Sequence, residues 1–222
     1  MIAAYNKIKK FALGLLLALL SSHPVFAQPF IEEIKAFAKQ DSISFPGTGH
    51  ILFIGSSSFT LWKDVQDYFP AKKIVNRGFG GASLPDLIRY ADRVIFPYRP
   101  RKVVIYCGEN DIASSDTISP STVAARFTSL FVLIRRRLPS VPIVFVSLKP
   151  SPSRAHIMPR VAESNHLIKQ FLKTQKYTVF VDVYHAMLDT TGRPLPHIFL
   201  KDSLHMNAAG YRIWQKALNK YL

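Results

Sequence analysis

Five short apolar runs, with helical patterns between them, limit the fold more than any other feature of this sequence. They occupy residues 51–54, 74–75, 103–107, 143–146 and 179–183. Most show no alternation of apolar and polar residues, and they are rich in β-branched and aromatic side chains. Strands buried on both faces of a parallel sheet read this way. Between them, Ser119-Pro120 offers a helix cap and a first-turn proline. Val123, Phe127, Leu130, Phe131, Ile134 and Leu138 then keep to one helical face, until Pro139 ends the run. Ile213, Trp214, Ala217, Leu218, Tyr221 and Leu222 make a similar stripe, and 84–95 and 161–172 are weaker helical candidates. Strands alternating with helices predict a three-layer α/β/α domain around a mostly parallel, five-stranded sheet. Ligands of such sheets bind beyond the carboxyl ends of the strands. Chemistry is therefore expected just after each apolar run.

The first 27 residues stand apart from that pattern. Lys7, Lys9 and Lys10 precede an apolar run from 11 to 20, and Val25-Phe26-Ala27 supplies small residues where a signal peptidase cuts. That order is the layout of a secretory signal peptide. The alternative is a membrane anchor, but the apolar run is about half of the ~20 residues that span a bilayer. The chain is thus predicted to be exported, periplasmic or secreted, with a leader at 1–27 and one domain at 28–222. Of the 222 residues, 195 remain after the leader, enough for one sizeable core. The single cysteine, Cys107, lies in an apolar run and is expected to be buried and inert.

The formal charge is +15, and the three leader lysines account for three of it, leaving +12 on the domain. Such a balance speeds encounter with anionic partners. For an exported protein those would be anionic lipid or cell-wall polymer rather than nucleic acid. An ordinary solvated surface explains the charge as well.

Four pieces carry candidate chemistry. Gly55-Ser56-Ser57-Ser58 follows the first run, where a serine could attack a carbonyl while free N–H groups hold the oxyanion. Alone the signal is weak, since serine-rich turns also cap helices. Asn76-Arg77-Gly78-Phe79-Gly80-Gly81 follows the second run and suits a tight turn. It fits neither common phosphate-loop pattern. Gly108-Glu109-Asn110-Asp111 follows the third run, and its asparagine amide is either an uncharged oxyanion donor or a turn former. Asp202-Ser203-Leu204-His205 precedes the last helix, so the carboxylate can fix the imidazole tautomer and leave Nε2 facing a nucleophile. His50, His156, His166, His185 and His197 lack metal-ligand spacing, so no metal and no cofactor is expected. Lys149 to Arg154 should border the crevice, either as a basic loop holding an anionic substrate group or as a proline-stiffened turn.

In combination and in this order, the four pieces resemble the blocks of the SGNH (GDSL-like) hydrolases, and the likeness runs over nearly all of 48–222. The resemblance implies a flavodoxin-like sheet and a serine esterase. It implies Ser57 as nucleophile, His205 as general base and Asp202 as its orienting carboxylate. The implied oxyanion hole is the N–H of Ser57, the N–H of Gly81 and the side-chain amide of Asn110. Ser56 stands where the family usually has an acid, so the choice among Ser56, Ser57 and Ser58 falls to geometry. The expected substrate is a small acyl ester. A short-chain ester, a lysophospholipid and an O-acetylated carbohydrate all remain open, as does the oligomeric state. A non-catalytic lipid- or glycan-binding protein on the same scaffold is the competing class, and a flavodoxin-like nucleotide binder is a third.

Overall fold

The protein is described by a computed structural model over residues 29–222. The leader expected at 1–27 lies outside the described residues. Five strands form one sheet: β1 (Ile51–Gly55), β2 (Ile74–Asn76), β3 (Lys102–Tyr106), β4 (Ile143–Val146) and β5 (Thr178–Val181). Their order is β2-β1-β3-β4-β5 and every pairing is parallel. All five apolar runs of the sequence became strands, shifted at most by a residue or two. Residues of β1 and β4 are buried throughout, whereas β2 and β5 are only partly covered because they are the sheet edges.

Period-two alternation sends side chains to two separate cores. Ile51, Phe53, Val104, Tyr106, Val144 and Val146 meet Tyr211, Trp214 and Leu218 of α8 (Ala208–Leu218) on one face. Phe145 faces the other way and meets Phe127, their ring centroids 4.7 Å apart. Phe127 belongs to α6 (Pro120–Arg137), which packs between α4 (Leu84–Val94) and α7 (Met158–Lys173). The other α-helices among the described residues are α1 (Ile31–Ile43), α2 (Ser57–Thr60), α3 (Val65–Tyr68) and α5 (Glu109–Ser114). The C-terminal stripe is a true α-helix only to Leu218 and tightens to a 3-10 turn at Asn219–Tyr221.

Helix α1 has no counterpart among the apolar patterns, and its packing explains why. Only Ile34 on it is fully buried. A charge docks it: Asp41 accepts from the Arg77 guanidinium at 2.5 Å and from the Tyr98 hydroxyl at 2.5 Å. Arg77 in turn lies over the Phe37 ring at 5.1 Å. Polar side chains cap the starts of α6, as Ser119-Pro120 suggests, and of α8. Ser119 accepts from the Thr122 N–H, and Asn207 accepts from the N–H groups of Ala209 and Gly210. Arg135, at the end of α6, donates to the carbonyls of Val141, Lys176 and Tyr177. It therefore ties two loops together rather than merely facing solvent.

The strand order reverses direction between β1 and β3, which makes the gap beyond their carboxyl ends the switch-point crevice of a doubly wound sheet. Gly55 ends β1 there at φ +155, and a Cβ on it would lie 2.0 Å from the Tyr106 carbonyl oxygen. Only glycine lets β1 and β3 stay paired up to this point. The next residues of each strand turn directly into the site.

Candidate active site

Ser57 is the first residue of α2, immediately past β1. Its N–H falls outside the helix's own hydrogen-bond ladder. Hydrogen bonds from Asn76 and Tyr211 fix this short helix, and one from Phe79 fixes the strand end before it. Asn76, at the end of β2, donates its amide to the Phe59 carbonyl at 2.7 Å while its oxygen accepts the Gly78 N–H at 3.0 Å. Tyr211 of α8 donates to the Ser58 carbonyl at 2.9 Å. The Phe79 N–H reaches the Gly55 carbonyl at 3.0 Å. Asn76 thus locks the glycine turn against the nucleophile turn, a role that its place in the second block did not disclose.

His205 lies 148 residues further along the chain, yet its Nε2 stands 3.0 Å from the Ser57 Oγ. Its Nδ1 is 2.6 Å from Asp202 Oδ2. A carboxylate can only accept, so Nδ1 carries the proton and Nε2 is left to accept from the serine hydroxyl. Asp202 Oδ1 also accepts the backbone N–H groups of Leu204 and His205, each at 2.9 Å. These bonds, that of the His205 backbone foremost and then that of its ring, hold the Asp202 carboxyl down at about 2. Ser203 takes φ +55 inside this turn, which lets the carboxylate and the ring share one side. Of the three adjacent serines, Ser56 and Ser58 are buried, and Ser57 alone meets the imidazole.

Asn110 arrives from the first turn of α5, just past β3. Its Nδ2 donates to the Ala82 carbonyl at 3.0 Å. An amide nitrogen has two hydrogens, so a second remains for a ligand. Gly81, with φ +81, precedes that anchored Ala82 carbonyl. The candidate oxyanion donors Ser57, Gly81 and Asn110 therefore come from the ends of β1, β2 and β3. Asp111 does not join them. It is buried, accepting the Leu84 N–H and the Arg126 guanidinium, so it braces α4 and α6 against α5. Burial raises its carboxyl above the usual range, against those hydrogen bonds. Cys107 is buried too, and burial pushes its thiol well up, as an inert cysteine requires.

The Lys149–Arg154 loop borders the site, but its cations turn inward. Lys149 is 2% exposed and donates to Glu109 at 3.0 and 3.3 Å. Arg154 donates to Glu109 at 2.9 Å and to the Asn110 side-chain oxygen at 3.1 Å. Tyr106 donates to the same carboxylate. Burial alone would raise the Glu109 carboxyl, yet Lys149, Arg154 and the Tyr106 hydroxyl together hold it below its ordinary value. Lys149 is thus no substrate anchor. Breaking such a buried pair from one side costs about 3–5 kcal/mol. Lys149→Met, which leaves Glu109 two partners, is expected to cost about 3 kcal/mol in urea denaturation. A loss under about 1 kcal/mol would contradict the pairing described.

A second Asp-x-x-His occurs at Asp182 and His185, with an Nδ1 to carboxylate distance of 2.7 Å. It borders a cavity of about 220 Å³ that none of Ser57, Asp202 or His205 lines. The short motif therefore does not define the site; the facing serine does.

The sequence matches the GDSL-like lipase/acylhydrolase family over residues 41–213. The chain belongs to that family. It is a serine hydrolase acting on ester bonds, with the family's α/β fold. Among solved structures, a protein named as a platelet activating factor from Streptococcus pneumonia is 23% identical, with a TM-score of 0.76 over 96% of this chain and 98% of that one. A GDSL-like lipase from Bacteroides thetaiotaomicron is 20% identical, with a TM-score of 0.71 over 85% and 96%. An acetylxylan esterase from Geobacillus stearothermophilus is 18% identical, with a TM-score of 0.62 over 78% and 94%. At these identities the likeness speaks for the fold. No curated protein matches the chain.

Proposed function

We propose that the protein is an exported esterase that cleaves small carboxylic esters through an acyl-enzyme on Ser57. The observation that carries this reading is the continuous line from Asp202 through His205 to the Ser57 hydroxyl, with bonds of 2.6 and 3.0 Å. In this mechanism His205 Nε2 takes the Ser57 proton as Oγ attacks the ester carbonyl. Asp202 stabilises the imidazolium, which then protonates the leaving alcohol. The N–H groups of Ser57 and Gly81 and the Asn110 amide receive the oxyanion. Water, activated by the same imidazole, releases the acid. A pure binding protein would have no need for this alignment.

Export rests on the composition of residues 1–27, and an anionic lipid or cell-wall surface rests on the +12 of the remainder. The acyl group and alcohol are separated by a series of p-nitrophenyl esters from acetyl to palmitoyl, set beside lysophospholipid and acetylated xylo-oligosaccharide. The expected result is a burst of one nitrophenol per chain with the acetyl ester and kcat/KM falling as the acyl chain lengthens. Kinetics that improve steadily toward palmitoyl would sink the small-ester reading.

A further inference from the structure

Asn110 can hold an oxyanion only if its amide stays turned the right way, and nothing intrinsic to an asparagine guarantees that. The two ends of a carboxamide differ little in shape, so orientation comes from hydrogen-bonding partners. Here both ends are engaged. The nitrogen end donates to the Ala82 carbonyl, and the oxygen end accepts from Arg154. A guanidinium has donors only, so it rejects the flipped amide, whose NH₂ would face it. The guanidinium itself is held by Glu109 at 2.9 Å, the residue just before Asn110 in the chain. Glu109 is fixed in turn by buried Lys149 and by Tyr106. Further along the same loop, the Ser153 N–H donates to the Ser203 carbonyl at 3.1 Å, between Asp202 and His205. At the root of the loop, Asn165 of α7 pairs with both the N–H and the carbonyl of Leu148, each at 2.8 Å.

We propose that Arg154 is a positioning residue for ester hydrolysis, locking and polarising the Asn110 amide as an oxyanion donor while Glu109 clamps its guanidinium. A cation on the amide oxygen draws electron density from the nitrogen, so the remaining N–H becomes a stronger donor where negative charge develops. The benefit is specific to the transition state, because the ester carbonyl carries far less charge than the oxyanion. Arg154 therefore acts on kcat and leaves substrate binding alone. Lysine cannot replace it fully, since one ammonium does not bridge the two oxygens with the fixed fork of a guanidinium. This inference rests on the triad reading above.

The test is a double-mutant cycle on p-nitrophenyl acetate hydrolysis with Arg154→Gln, Asn110→Ala and the pair. Arg154→Gln is expected to lower kcat about 10- to 100-fold with KM within about twofold. Asn110→Ala should cost about 10²–10³ in kcat. The double variant should be no slower than Asn110→Ala by more than about twofold, because the arginine has then lost the group it positions. Losses that multiply in the double variant would overturn the proposal, as would a raised KM with kcat preserved. A thermal melt comes first. If Arg154→Gln does not fold, Arg154→Lys takes its place in the same cycle, with a smaller loss in kcat expected and the same requirement that the double variant be no slower than Asn110→Ala by more than about twofold. A Ser57→Ala variant run alongside separates the two failures. Activity surviving there overturns the triad itself, whereas an inactive Ser57→Ala with a multiplicative cycle overturns only the role of Arg154.

Discussion

Ser57→Ala folds like the parent and loses about 10⁶ in turnover on p-nitrophenyl acetate: that is the largest single effect expected of this chain. The size follows from the division of labour in such a site, where removing the nucleophile removes the acyl-enzyme route altogether. The residual rate stays about 10³–10⁴ above water, since the N–H donors and the bound substrate remain in place. Stability should hardly change. Ser57 is only partly buried, and its hydroxyl faces His205 rather than a packed interior. Deleting one oxygen there falls in the range of about 0.5 kcal/mol typical of surface changes. Ser56 and Ser58 offer no substitute, being buried beside it. Parent-like turnover in the variant would refute the assignment.

Asp202→Asn is expected to cost about 10⁴ in kcat. The asparagine keeps the size of the side chain but can present an NH₂ to Nδ1, which favours the wrong imidazole tautomer and offers no charge to the imidazolium. Acid should not reproduce this change. The folded carboxyl sits at about 2 against an ordinary 3.8. A depressed folded value means that the unfolded chain binds the proton more readily, so the associated stability is complete above 3.8 and fades as pH falls through about 2. Asp202 accordingly stays ionised through any pH at which an esterase is assayed. Between pH 4 and 8 the rate profile of the parent should show no ionisation attributable to this carboxyl, and circular dichroism should show the fold intact. A carboxyl-type step near pH 4 that vanishes in Asp202→Asn would contradict the geometry.

The sheet was legible in the sequence because its strands are buried on both faces and so leave unbroken apolar runs. Even the edge strands β2 and β5 kept enough of that signature to be found. Helix α1 was not legible, since it docks mainly through Asp41 on Arg77, and an ion pair leaves no periodic stripe. The site divided in the same way. Ser57, Gly81 and Asn110 sit in short motifs after strands, and Asp202 and His205 in one before the last helix, so their order along the chain carried the family resemblance that implied their roles. The Glu109, Lys149 and Arg154 cluster joins residues 40 and 45 positions apart, and only the folded chain brings them together. The basic loop looked like a possible anion holder because sequence reports charge and says nothing about its partner. Asp182 and His185 show the converse: a motif with the right local geometry and no role in the site.

The account depends on an imidazole making one serine hydroxyl nucleophilic, and a fluorophosphonate reads that property directly. The full chain should take up one phosphonyl group, peptide mass spectrometry should locate it on Ser57, and His205→Ala should suppress it. Ester hydrolysis by a protein that stays unlabelled, or that carries the adduct on another residue, would contradict the account.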